Sequence, residues 1–370
     1  MASSSSTLPH SQGKKRKLAD DGAGPAPGAH PDLIRDERVW FADGNIIVRA
    51  GPGCTGDGLV YGFRCHSSVL AARSPVFADM FQLPNTAGEK FEGAECVDLP
   101  DAWEDVRGLL RYLYGSIDIQ ALVAPRHADT LKVIGGPLRL AAKYDMESVT
   151  RELVPVLERH WPSTYAGWVH AEKGFRLSHP GVVQITRERY QDPAAAVRLA
   201  MDLCLRSVLP AAFYDLSRIS IRKPLRAVPH DRWADAALLS WEDMERLTIA
   251  RERLARYLEE DLFRTIERSI TDLMGHIGDV YGIRKHSCEG NLEKWWVRAH
   301  PVPGRAYSDG PLASLQGLAE ALENEDSDDE YLTNVCRGCR RELAGELRLE
   351  APDLWNKLPE LFDLASLSFD

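Results

Sequence analysis

No window of about 18 consecutive apolar residues exists in this chain of 370 residues. Even the greasiest stretch, Val197 to Tyr214, is broken by Arg198, Asp202, Arg206 and Pro210, so a membrane-spanning helix is not expected. The first residues, Met1 to His10, are rich in serine and lack the apolar core of a secretory leader, which places the seven cysteines in a reducing compartment as thiols or metal ligands. An excess of positive charge is also missing. The balance of 45 Lys and Arg against 55 Asp and Glu gives −10, which argues against a surface that coats nucleic acid and leaves room only for a local basic patch. Nowhere do a nucleophile, a base and an orienting group stand out together, so enzyme activity is not expected. What the sequence does have is a hydrophobic fraction of 44% and a charged fraction of 27%, ordinary for a protein that folds in water, over a length suited to about two domains.

Residues 1–36 combine Ser3–Ser6, the basic run Lys14, Lys15, Arg16 and Lys17, and a Gly/Ala/Pro stretch, with too few large apolar side chains to offset ordering entropy. They read as a disordered tail. Four adjacent cations on such a tail suit an acidic nuclear-import receptor, although a charge run is also simply a solvated one. From Arg38 the pattern changes. Val39-Trp40-Phe41, an Asp-Gly-Asn turn, and the β-branched Ile46-Ile47-Val48 predict strands, and Leu59 to Arg64 returns after a Gly-rich loop to complete a hairpin. The loop lacks the Lys-Ser/Thr and the following helix that a phosphate cradle needs, so a nucleotide site is rejected.

Beyond the hairpin, Cys65-His66-Ser67-Ser68-Val69-Leu70 and then Ser74-Pro75-Val76-Phe77, with Met80-Phe81, predict two short helices, the second capped by Ser74 with Pro75 in its first turn. Glu95 to Pro100 reads as an edge strand. Trp103, Val106, Leu109, Leu110, Leu113 and Tyr114 recur at helical spacing up to a stop at Gly115. Phe77, Met80, Phe81, Leu109, Leu113, Leu140 and Tyr144 are expected in the core, and His66, at a strand-to-helix junction, is expected to tie that turn together rather than act as a base.

This order of hairpin, His66, Leu70, Ser74-Pro75-Val76-Phe77, Met80-Phe81, a Val-Asp-Leu strand, a helix ending Leu-Tyr114-Gly and then Leu140 to Met146 with Tyr144 resembles a BTB/POZ domain. The resemblance runs from about Arg38 to Trp161. It implies an α+β module, a helical cluster flanked by short strands, that homodimerises or binds another protein and performs no catalysis. The chain as a whole is similar to a fungal type with an N-terminal BTB domain and a long helical C-terminal half. Many dimeric relatives pair an Asp on the first strand with a basic residue after the histidine. Asp43 fits the first position, but Ser67 follows His66, which leaves Arg64 or Arg73 as substitutes. Relatives that recruit a cullin scaffold often carry a hydrophobic-x-Glu triplet after the Met-Phe helix, whereas Phe91-Glu92-Gly93 places its acid one residue early.

After Trp161-Pro162 the chain reads as helices with polar breaks. One starts at Asp192-Pro193 and is expected to run to Pro210. Another is announced by a capping box at Ser240 to Asp243, with Leu247, Ala250, Leu254, Leu258 and Leu262 on one face, and that face is expected to be core. Charges of both signs alternate along it, so no nucleic-acid stripe is expected.

One constellation has coordination chemistry. Cys336-Arg337-Gly338-Cys339 lets two thiolates reach one tetrahedral ion from a tight turn, and Cys288 with His286 would complete a Cys₃His set, with Arg337, Arg340 and Arg341 stabilising thiolate charge. Structural zinc and unligated thiols both fit, and a redox dithiol fits less well without a strand before it. Glu323 to Glu330 reads as a solvated acidic loop with Ser327 as a phosphate acceptor, and Leu354 to Phe362 as a closing element that docks back.

The expectation is therefore a tail over 1–36, a BTB/POZ-like α+β domain over 37–161 and a mainly α-helical domain over 162–370 with a candidate zinc site. The function expected is non-enzymatic protein binding, through a homodimer or a heterotypic partner. The alternatives are a substrate adaptor on a cullin scaffold and a nuclear transcriptional regulator that recruits co-regulators. Location is expected to be nuclear or nucleocytoplasmic.

Overall fold

A computed structural model describes residues 33–51, 59–83, 90–123, 129–178, 191–222, 233–281, 285–299, 310–324 and 326–367. The chain begins with β1 (Leu33–Trp40), β2 (Ile46–Ala50) and β3 (Val60–Cys65), followed by α1 (Ser67–Ala71) and α2 (Pro75–Gln82). Next come β4 (Lys90–Phe91), β5 (Ala94–Leu99), α3 (Trp103–Leu113), α4 (Ile119–Leu122), α5 (Thr130–Lys143) and α6 (Glu147–His160). The five strands form one sheet in the order β1-β3-β2-β5-β4. β1 starts at Leu33, inside the stretch assigned to a tail, because Leu33 and Ile34 pair with Val60 and Tyr61 of β3. The expected hairpin is antiparallel, with Ile46 opposite Cys65 and Val48 opposite Phe63. Both faces of the sheet are covered: Ile46, Val48, Ala50, Phe63 and Cys65 face the helices, while Ile47, Ala94 and Cys96 pack with Leu33, Trp40 and Phe91 behind. That explains a continuous rather than alternating apolar run at 46–48. The strand expected at the edge, β5, is interior; it lies between β2 and the two-residue β4, which takes the edge.

The helices start and stop where their chemistry says. Ser74 Oγ accepts from the Phe77 amide at 3.0 Å with Pro75 in the first turn. α3 ends at Gly115, φ +67°, where Ser116 N–H reaches back to Arg111 O at 2.8 Å, a left-handed C-terminal motif that glycine enters without a Cβ penalty. α3 and α5 approach closely because Gly136 has no side chain: a Cβ there would sit 2.8 Å from Asp105 Cα. Asp105 is instead clasped by Arg139 at 2.8 and 3.0 Å.

The remainder is α7 (Tyr165–Ser178), α8 (Pro193–Asp202), α9 (Leu209–Ser217), a two-stranded pair of β6 (Ser220–Arg222) and β7 (Trp233–Asp235), α10 (Trp241–Arg256), α11 (Phe263–Tyr281), α12 (Lys285–Ala299), α13 (Gly310–Glu323) and α14 (Arg337–Leu361). The helix expected to run to Pro210 is two helices. Cys204 adopts φ +55°, the chain turns, and Pro210 falls in the first turn of α9, where its missing N–H costs nothing. The capping box at Ser240 is present, and Leu247, Ala250, Leu254, Leu258 and Leu262 are all buried. Their four-residue steps outrun a 3.6-residue helix, and a π-type turn over Tyr257–Leu262 absorbs the drift between α10 and α11. The expected closing element is the last part of the 25-residue α14, with Leu354, Trp355, Leu358 and Phe362 buried.

The hydrophobic core continues without a break from Val39 to Leu367. One tryptophan fastens the halves, the Trp161 indole donating to Asp215 Oδ2 at 3.1 Å, and within the helical half the Trp355 indole donates to Ser163 O at 3.1 Å. Among the described residues no helix is long and apolar enough to cross a membrane.

Candidate functional site

At the junction of β3 and α1, His66 has no side-chain cap to offer and is held instead by Tyr114 at the end of α3. Tyr114 Oη accepts from the His66 amide at 2.9 Å and lies 2.8 Å from His66 Nδ1. Burial raises the pKa of the Tyr114 hydroxyl, so it stays protonated beside the ring. On the other side of the ring, Nε2 faces Asp43 Oδ2 at 3.4 Å. Phe41 packs on Tyr114 with centroids 4.3 Å apart. The turn is tied as expected, and its neighbour Cys65 is no nucleophile, since burial pushes its thiol up to about 12.

A second knot joins α2 to the end of α5. Ser74 Oγ, besides capping α2, donates to Tyr144 O at 2.5 Å, and the Tyr144 hydroxyl bonds Asp101. Phe77 stacks against Tyr144 with centroids 4.5 Å apart and Phe81 follows at 5.8 Å, while Leu70 is buried and Met80 packs half-buried on the core. Residues that lie far apart in sequence, from Asp43 to Tyr144, therefore close one folding unit. The family model for the BTB/POZ domain matches residues 59–160. Residues 59–160 form a BTB/POZ domain. No curated protein matches the chain. The BTB/POZ domain is a protein-interaction module, and here it borrows β1 and β2, which precede the matched stretch, to complete its sheet.

The two departures from the family pattern have structural accounts. Neither Arg64 nor Arg73 reaches Asp43 as the missing basic residue: Arg64 donates to Gly44 O at 2.9 Å and Arg73 to Ser148 at 3.3 Å, so Asp43 faces His66 itself. Phe91-Glu92-Gly93 is the tight β4–β5 turn, with Glu92 and Gly93 at positive φ and the Glu92 carboxylate paired to Arg35. The import cluster Lys14, Lys15, Arg16 and Lys17 lies outside the described residues.

In the helical half the cysteines of the expected metal set do meet. Cys336 is the N-cap of α14, and its Sγ accepts from Cys339 N at 3.5 Å and lies 3.3 Å from Cys339 Sγ. Cys288, on α12, receives the Cys336 amide at 3.4 Å, and the three sulfurs all lie within 4.8 Å of one another. Burial opposes ionisation of Cys336, but the hydrogen bonds from the Cys339 amide and thiol and from Cys288 outweigh it and lower its pKa. Burial raises that of Cys339, the more so beside a Cys336 thiolate. His286 lies on the same helix two positions before Cys288, and its side chain is outside the described residues. Of the arginines expected around the thiolates, Arg340 is committed elsewhere: it is buried and donates to Leu322 O at 2.7 Å and to Asn324 O, closing the C-terminus of α13. The acidic loop is more ordered than a solvated run requires, because Asp329 accepts from the Tyr331 and Leu332 amides and pairs, with Glu330, to Arg298.

Sequence reasoning missed two buried polar clusters. Arg218, beneath the core, reaches Glu172 and Asp215 at 3.2 Å each, with Trp161 on the other Asp215 oxygen. His160 is buried between Leu122 O at 2.9 Å and the Gln191 amide at 2.8 Å. The Asp215-to-Arg218 spacing was a readable i,i+3 pair, but nothing local marks Glu172 as its third member.

Proposed function

We propose that this chain is a non-enzymatic interaction protein whose BTB/POZ domain self-associates, with the helical half carrying specificity for a further protein. The observation that carries the reading is the match of residues 59–160 to an interaction domain, in a unit whose defining residues knit one scaffold. His66 is spent on Tyr114 and Asp43, and this supports a structural part for it. Sedimentation velocity of the purified full chain over micromolar concentrations tests self-association. A species of twice the chain mass that grows with concentration is expected, and a monomer throughout overturns it in favour of heterotypic binding alone.

Two narrower roles remain proposals of unequal support. A nuclear regulator is favoured by Lys14 to Lys17, and replacing all four with alanine is expected to shift a fluorescently tagged chain out of the nucleus; unchanged distribution removes it. A cullin adaptor is disfavoured, because the nearest triplet is a hairpin turn whose acid already pairs with Arg35.

A further inference from the structure

The cysteines of the helical half have no part in the interaction reading, yet three of seven converge from two helices that are remote in sequence. We propose that Cys288, Cys336 and Cys339 bind one zinc ion, which clamps α12 to the first turn of α14.

The distances fit a tetrahedral thiolate centre. Zn–S bonds of about 2.3 Å put neighbouring sulfurs about 3.8 Å apart. Here the Cys336–Cys339 separation is 3.3 Å and no pair exceeds 4.8 Å, so shifts of around an ångström or less would seat the ion. The spacing Cys-x-x-Cys works because its first member is the N-cap of α14 and its second sits three residues on, which turns both side chains to one side of the helix start. The third sulfur comes from α12, and it is the one a simple dithiol would not need. Backbone amides already point at the sulfurs: Cys339 N–H at Cys336 and Cys336 N–H at Cys288. Such N–H···S bonds support thiolate ligands from outside the coordination sphere. Among the described residues no carboxylate joins the cluster, and an all-sulfur set selects zinc over magnesium or calcium.

The bond would also serve a mechanical need. α12 is joined to its neighbours by segments outside the described residues, 282–284 and 300–309. Its described polar ties to the chain just before α14 are Arg298 with Asp329 and Glu330, and both of the latter belong to a partly exposed loop. A metal held by Cys288 adds a second tie near the start of the helix, and binding energy of this kind is folding energy.

Elemental analysis of the reduced, purified full chain is the test, with zinc offered and then removed by gel filtration against a weak chelator. One zinc per chain is expected. Cys336→Ser and Cys339→Ser each lose it, and Cys204→Ser, at an exposed thiol outside the cluster, keeps it. Because the serine variants could misfold, the unmodified chain is titrated in parallel with an organomercurial in the presence of a chromogenic zinc dye. Zinc release in step with the loss of three protected thiols supports the site. Cobalt exchange giving intense near-ultraviolet sulfur-to-cobalt bands supports it independently. A zinc-free chain after this treatment overturns it, and so does a mass two hydrogen atoms lighter that maps to a Cys336–Cys339 disulfide in the protein as isolated.

Discussion

The His66 knot of the BTB/POZ domain and the Arg218 cluster of the helical half place their polar ties at different depths. In the first, His66, Tyr114, Asp43 and Arg73 knit elements together at the rim, where water can replace a lost partner; the Asp43 side chain is 84% exposed. In the second, the ties are sunk into the core. The side chain of Arg218 is 4% exposed and that of Asp215 0%, and both lie where α7, α9 and the Trp161 junction meet. A rim contact is worth little net because folding trades it against water, while a sunk charge is costly only once its partner is gone. The same number of hydrogen bonds should therefore fail very differently in the two regions.

The sharpest way to break that contrast is Arg218→Met. It keeps the length of the side chain and removes a guanidinium that faces two buried carboxylates, Glu172 and Asp215. A loss of about 3–5 kcal/mol is expected from urea unfolding, since each buried carboxylate loses a charged partner. A loss under ~1 kcal/mol would mean that solvent reaches the pair and that depth is not what separates the regions.

Tyr114→Phe probes the rim. The Oη holds both the His66 amide and Nδ1, so its removal leaves one backbone N–H and one ring nitrogen short of a partner. About 2 kcal/mol of destabilisation is expected, less than for Arg218, because the site is half-open to water. The nitrogen chemical shifts of His66 should change with the loss of its Nδ1 partner, and unchanged shifts would show that the Tyr114 contact is not formed.

What could be read from the sequence divides along the same line. Strand, cap and turn signals are local, so the hairpin, the Ser74 and Ser240 caps and the Gly115 stop were legible residue by residue. The domain was legible because its markers recur in a fixed order. Long-range pairing was not. Nothing near residues 94–99 says that a two-residue strand would cover that edge, and nothing near Pro210 says that the chain turns at Cys204 so that the proline opens a helix instead of ending one. The thiol set was legible in its three sulfur members, which the structure brings together. The triad of Glu172, Asp215 and Arg218 was invisible because its members earn their role only after three elements have packed.

The smallest expected effect sharpens the contrast from the other side, since it concerns a rim contact within the helical half. Ser240→Ala removes the hydroxyl that accepts from the Asp243 amide at 3.1 Å and donates to Asp243 Oδ2 at 2.9 Å, but it leaves the Ser240 amide on that same oxygen at 3.2 Å. Asp243 is buried and also faces Arg246 at 3.5 Å, so it keeps a cation and one donor after the change. Only the helix-start amide is left to water, and the cost expected from a melting curve is about 1 kcal/mol or less. If depth rather than domain decides, this variant of the helical half should fall below Tyr114→Phe in the BTB/POZ domain. The opposite order would show that the helical half is the more fragile of the two wherever it is touched, and the reason would then have to be sought in its packing.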